Sequence, residues 1–225
     1  MKTVAFIPVR GGSKSIPGKN ILPFNGKPLL YWTAKAAQDC PEISEIIIAT
    51  DSEEIADTAT HLGLSKIVVY HRSAENANDK ASTESVMLEY LEKSLLHAED
   101  RFILIQATNP FLLTEHLSKG IAQMNLQPDG SIISCATFKR FLWNRNGTPM
   151  NYDFMNRPRR QDFDGEMLEN GAFYINSVGN ILQTKNRLTP PISIVEMPEY
   201  SAVEIDEPED WMIAEKIHNK YILTP

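Results

Sequence analysis

Between Arg10 and Asn20 the chain reads Arg-Gly-Gly-Ser-Lys-Ser-Ile-Pro-Gly-Lys-Asn. The glycines let backbone N–H groups come close to an anion, and Arg10, Lys14 and Lys19 add three cationic side chains. Such a loop suits a nucleoside triphosphate. It fits neither GxxxxGK(S/T) nor GxGxxG, so the P-loop and dinucleotide-binding templates are set aside. Far along the chain, Glu204 and Asp206 stand two residues apart in a segment expected to be a strand. On a strand both would face the same way and could share one hard cation through oxygen ligands, as a Mg²⁺ that bridges phosphate oxygens requires. Asp51 is a further acid with two readings, a neighbour of that cation or the N-cap of the helix that follows.

These residues need a scaffold. Val4 to Pro8 is a short apolar run that leads into the glycine loop, and Pro28 to Ala37 places Leu29, Leu30, Trp32, Ala36 and Ala37 at helical spacing. The unit repeats. Glu45 to Thr50 reads as a strand, Asp51 and Ser52 as capping residues, Ile55, Ala56, Ala59 and Leu62 as one helical face, and Gly63 as its stop. Lys66 to Tyr70 and Arg101 to Gln106 read as strands. They flank a helix expected over 82–96, with Met87, Tyr90, Leu91 and Leu95 turned inward. Thr114 to Met124 and Ser131 to Ala136 continue the alternation, Gly171 to Asn176 and Pro191 to Met197 restore strands, and Glu207 to Tyr221 closes with a helix whose first turn holds Glu207, Glu209 and Asp210. Strands alternating with helices of this length call for right-handed crossovers and a mainly parallel sheet covered on both faces, an α/β fold. From about 137 to 167 the alternation stops in a run rich in Arg, Asn, Pro and aromatics. That run is read as an insertion within a single 1–225 domain, serving a partner contact or a lid.

The net charge of −7 argues against a nucleic-acid surface, since phosphate neutralisation needs a clustered basic face. No stretch approaches the roughly 18 apolar residues of a membrane span, and the first apolar run is too short for a signal segment, so a cytoplasmic protein is expected. Cys40 and Cys135 lie far apart without metal-site spacing and are read as core residues. On that reading the sequon Asn146-Gly147-Thr148 goes unmodified.

Arg10, Ser13, Lys14, Lys19 and Asn20 match, position by position, the R-x-x-S-K loop ending in K-N that opens the acylneuraminate cytidylyltransferases. The resemblance continues in order through Ala49 to Ser52, His71 to Glu75, Ile105 to Pro110, Arg157 to Gln161, Glu169 to Ile175 and Glu204 to Asp206, nearly the whole chain. It implies a Rossmann-like nucleotidyltransferase fold and transfer of CMP from CTP to the C2 hydroxyl of a nonulosonic acid. It also implies a Mg²⁺ requirement and a homodimer whose insertion reaches the neighbouring active site.

Carried over residue by residue, the resemblance implies that Arg10, Ser13, Lys14, Lys19 and Asn20 hold the triphosphate and that Arg72 and Ser82 meet cytosine or its ribose. Arg10, Lys14 and Lys19 would also meet the charge of the leaving pyrophosphate. Gln106, Asn170, Tyr174, Arg160 and Gln161 would contact the acidic sugar, Arg160 by two parallel bonds to its carboxylate. Asp206 and Glu204 would hold the metal, and Lys139 or Arg140 would cross the dimer interface. Three positions depart from the family's common pattern: Glu204 for Asp, Ala107 for Pro and Asn109 for Ser. Ala107 and Asn109 leave open other 3-deoxy-2-ketoacids (deaminoneuraminic, legionaminic, pseudaminic or an eight-carbon acid) and Glu204 a non-catalytic nucleotide-sugar binding protein, while the match at Arg72 and Ser82 speaks against a transferase acting on a sugar 1-phosphate.

Overall fold

In the first strand, β1 (Thr3–Pro8), side chains alternate between two apolar layers: Ala5 and Ile7 enter one, Val4 and Phe6 the other. This is the period-two pattern of a strand buried on both faces. The computed structural model describes residues 1–77 and 81–224. In it β4 (Glu45–Thr50) and β6 (Arg101–Ile105) divide their side chains in the same way on either side of β1.

With β5 (Ile67–His71), β7 (Ser131–Phe138), β8 (Glu166–Ser177) and β9 (Ile192–Met197), these strands form one seven-stranded sheet in the order β5-β4-β1-β6-β8-β7-β9. Six strands share a direction, and β8 runs antiparallel to both β6 and β7. Helices α1 (Leu29–Asp39), α2 (Glu53–Thr60) and α4 (Thr114–Leu126) cover one face through Leu30, Ile55, Leu117 and Ile121. The other face takes α3 (Thr83–Lys93) and α5 (Val178–Thr184) through Val86, Met87, Val178 and Ile181. The result is a three-layer α/β sandwich. A third apolar cluster joins a small hairpin, β2 (Pro23–Phe24) with β3 (Lys27–Pro28), to α6 (Pro208–His218) through Phe24, Leu29, Phe111 and Ala214.

Several expectations need correction. The helix expected over 82–96 ends at Lys93, so Leu95 is not inward but 96% exposed. Residues 203–206 form no strand: Ile205 N–H bonds to the Thr108 carbonyl at 3.0 Å, outside any ladder. The last helix stops at His218 and passes into a π-helical turn, Asn219–Leu223. Between β7 and β8, residues 139–165 carry two 3-10 turns and a cluster of Phe141, Trp143, Tyr152, Phe154 and Phe163. Both cysteines are free and buried. No helix among the described residues is long and apolar enough to cross a membrane.

Candidate active site

The parallel strands β1, β5 and β6 end at one edge of the sheet, where open α/β sheets hold their ligands. A cleft of about 340 Å³ lies there, walled by Arg10, Ser13, Lys19 and Asn20 after β1, Arg72 after β5, Ser82 and Thr83 at the start of α3, and Gln106 to Thr108 after β6.

The glycine loop is shaped by its neighbours. Gly11 donates its N–H to Asp51 Oδ1 at 3.1 Å, and a Cβ on Gly11 would stand 2.9 Å from Ser52 Cβ, so the approach demands glycine. Asp51 is thereby engaged with the loop, while Ser52 caps α2 through its bond from Ile55 N–H. Asn20 is buried and braces the loop: its carbonyl accepts Leu30 N–H at 2.9 Å and its amide lies 3.5 Å from the Arg10 carbonyl. Lys14 is exposed and stands outside the cleft wall. Lys19 points into the structure, its side chain 11% exposed. It donates to the Ile205 carbonyl at 2.6 Å and pairs with Asp206, itself 70% exposed, at 3.3 Å. Ser15 adds a second stitch, donating to Glu207 Oε1 at 3.0 Å.

Across the cleft, Arg72 donates through Nε to the Ala49 carbonyl at 2.9 Å. Burial pulls its guanidinium pKa down; the Asp51 and Glu89 carboxylates oppose that and Arg10 reinforces it. Ser82 caps α3 by accepting Ser85 N–H at 3.0 Å, so a helix N-terminus opens onto the same cleft as Arg72. Such an end favours an anion.

The far wall is built on an irregularity. Pairing of β7 with β8 shifts register between Ile133 and Cys135, which leaves residues 170–173 without ladder partners on β7. Gly171 adopts φ +65°, and a Cβ there would lie 2.7 Å from both Gln106 Oε1 and Glu204 Oε2. Gln106, Gly171 and Glu204 therefore converge on one corner. Burial, then the nearby Asp206 and Glu169 carboxylates, push the Glu204 carboxyl pKa up, with Lys19 opposing. No hydrogen bond reaches that carboxylate among the described residues. Oxygen donors of this kind suit a hard cation, although no three His, Cys, Asp or Glu converge among the described residues. Glu204 and Asp206 would supply two ligands, leaving phosphates and water for the rest.

Two residues expected to touch the sugar are occupied by the protein itself. Asn170 has no exposed surface; it donates to Ser201 Oγ at 2.9 Å and Met197 Sδ at 3.3 Å, and accepts from Ser134 Oγ at 2.8 Å and Ala172 N–H at 3.3 Å. It shapes the Gly171 turn and has no group left for a ligand. Tyr174 is 3% exposed, its hydroxyl donates to Glu169, and Arg187 lies 5.0 Å over its ring while pairing with Glu84 at 2.6 Å. Burial, then Glu169, push its phenol pKa up. It supports the wall from beneath.

Arg160 and Gln161 are not brought to this cleft. They sit in a 3-10 turn of the 139–165 segment, where Arg160 pairs with Glu199 at 2.5 Å. Arg160 lines a separate opening of about 400 Å³ with Lys139, Arg140, Phe141 and Arg157. The sequence assigned no individual role to Ser15, Thr108, Glu169 or Gly171, although Ser15 stands in the glycine loop and the other three in segments that carry the family resemblance.

Residues 4–153 match the cytidylyltransferase family. The chain is 37% identical to the N-acylneuraminate cytidylyltransferase of Oncorhynchus mykiss over 94% of its own length and 49% of that protein's, so it spans about half of that relative. It is 29% identical to the CMP-N,N'-diacetyllegionaminic acid synthase of Legionella pneumophila, covering 96% of both. Among solved structures, a CMP:2-keto-3-deoxy-manno-octonic acid synthetase complexed with CTP shares the fold at TM-score 0.72 and 18% identity, over 99% of this chain and 100% of that one.

Proposed function

The chain belongs to the cytidylyltransferase family, and on that premise we propose that it transfers CMP from CTP to the C2 hydroxyl of a nonulosonic, sialic-type acid in the cytoplasm, releasing pyrophosphate. The observation that carries the reading is Lys19. It lines the cleft from the anion-type loop and holds the 205–206 segment, next in the chain to the Glu204 of the Gln106–Gly171–Glu204 corner, which supports donor and acceptor halves sharing one site.

In this reading the CTP phosphates lie along Arg10, Ser13, Lys19 and Asn20, Lys14 turns in toward them from outside the cleft wall, and the nucleoside lies between Arg72 and Ser82. The sugar acid lies against Gln106, its hydroxyl oxygen in line with the α-phosphorus. A new P–O bond forms there as the bond to the β-phosphate oxygen breaks and the hydroxyl proton passes to the Asp206 or Glu204 carboxylate or to water, and Arg10, Lys14 and Lys19 meet the charge that collects on pyrophosphate. Asp206 and Glu204 would hold Mg²⁺, which when bound draws charge from the phosphate oxygens. Catalysis is then positioning and electrostatics.

The reading includes a homodimer. Arg160 and Gln161 stand apart from their own chain's cleft, which supports their serving the partner's, with Arg160 forking onto the sugar carboxylate. Lys139 and Arg140 border the same opening.

Pyrophosphate release tests the reaction, with CTP, Mg²⁺ and a panel of N-acetylneuraminic, deaminoneuraminic, legionaminic, pseudaminic and eight-carbon 2-ketoacids. Release with a nine-carbon acid is expected. Silence with every acid despite measurable CTP binding would leave a nucleotide-binding protein without turnover. Arg160→Ala should raise the KM for the acid at least about tenfold and leave CTP binding unchanged; equal loss of both would remove the carboxylate role.

A further inference from the structure

Glu89, on the face of α3 turned toward β5, gathers five donors on one carboxylate. Its Oε1 accepts from the Tyr70 hydroxyl at 2.6 Å, Ser73 N–H at 2.9 Å and Lys93 Nζ at 3.1 Å. Its Oε2 accepts from the Ser73 hydroxyl at 2.8 Å and Asn76 Nδ2 at 2.6 Å. The side chain is only 9% exposed. Burial alone would push its pKa up, but the bonds from Tyr70, Asn76 and Ser73 outweigh it and bring the carboxyl to about 2. An ionised carboxylate is the one side-chain group that offers acceptors alone to such a set.

Three of those donors belong to Ser73 and Asn76, in the loop that follows Arg72. Arg72 itself is pinned to the β4 side, its N–H on the Thr50 carbonyl at 2.9 Å and its Nε on the Ala49 carbonyl at 2.9 Å. The loop is thus held from two directions, by β4 through Arg72 and by α3 through Glu89. The second tether also joins Arg72 to the helix whose start, at Ser82 and Thr83, forms another part of the cleft wall. The Glu89 charge, with Asp51, further offsets the repulsion between Arg72 and Arg10.

We infer that Glu89 is a positioning residue for the nucleotide: by tethering Ser73 and Asn76 to α3 it sets Arg72 opposite the Ser82 end of that helix at the spacing CTP needs. The inference rests on the reading of the cleft as a CTP site, and it deepens that reading at a residue that touches no substrate. An amide at 89 would turn two hydrogens toward a cluster already full of donors, so the tether slackens even in an isosteric variant.

The test measures Mg²⁺–CTP dissociation constants by calorimetry, and KM for the sugar acid, in the wild type, E89Q, N76A, R72A and the E89Q/R72A double variant. E89Q and N76A should weaken CTP about tenfold while the KM for the acid stays within about twofold. The double variant should bind CTP no more weakly than R72A alone, since both changes remove the same arrangement. Losses that add in the double variant, or equal weakening of both substrates, would mark Glu89 as a general stabiliser and overturn the inference. Should E89Q fail to fold, N76A, which cuts the tether from the loop side, decides by the same criterion. Absence of CTP binding in the wild type would count against the function itself. Wild-type binding left unchanged by E89Q and N76A would overturn this inference alone.

Discussion

Replacing Gly171 with alanine should damage use of the sugar acid more than use of CTP. At φ +65° an L-residue pays about 1–2 kcal/mol for the left-handed backbone. The new Cβ would also lie 2.7 Å from Gln106 Oε1 and from Glu204 Oε2, and 2.9 Å from Glu204 Cδ, so both side chains must retreat by about half an ångström or more. Those atoms are the ends of flexible side chains, so the fold should survive with a melting temperature lowered by a few degrees. The site is less forgiving. Misplacement of about 1 Å can cost a hundredfold, and a shift of half that should reduce kcat/KM for the acid about tenfold. Steady-state pyrophosphate release, varying the acid at saturating CTP and then CTP at saturating acid, separates the two halves. An unchanged kcat/KM for the acid, or a larger loss for CTP than for the acid, would refute the convergence of Gln106, Gly171 and Glu204 as the acceptor corner.

Asp206→Asn should lower kcat at least about a hundredfold and leave thermal stability nearly unchanged, because the side chain is 70% exposed; a normal turnover would take Asp206 out of the reaction. Asn109→Ala removes donors to the Asn170 carbonyl at 2.6 Å and the Ser201 carbonyl at 2.8 Å, both buried. Denaturant unfolding should show a loss of about 2–4 kcal/mol, and a loss under about 1 kcal/mol would contradict that role. Glu89 titrates at about 2 in the folded chain against an ordinary value of 4.5, so its contribution is full above pH 4.5 and lost as the pH falls toward 2. Acid unfolding of E89Q should be correspondingly shallower in that window, and identical slopes would exclude the assignment.

Local signals carried the sequence reading a long way. The alternation of Val4, Ala5, Phe6 and Ile7 announces a strand buried on both faces because each side chain has only two directions to take. The position of the loop from Arg10 to Asn20 was likewise legible, since it follows an apolar run that forms β1 and its residues line the cleft at that strand's end. What failed was whatever depended on distant partners. Asn170 looked like a contact residue, yet Ser134 and Ser201, 36 and 31 residues away, close around its amide. Glu204 and Asp206 sit in extended chain, but the partner of Ile205 is the Thr108 carbonyl in a loop, so no ladder and no strand forms. Lys19 and Asp206 are 187 residues apart, and no pattern in either segment names the other. Leu95 misled because helical spacing continues past the point where Ser94 turns to extended backbone.

The central claim is that CMP moves from CTP to the sugar acid, and the fate of a label on the α-phosphorus tests it most directly. With α-labelled CTP, Mg²⁺ and N-acetylneuraminic acid or another nine-carbon member of the panel, the label should appear in a CMP-sugar conjugate while the pyrophosphate formed carries none. Label that remains in CTP with every acid, or that appears only in free CMP at a rate independent of the acid, would contradict the transfer.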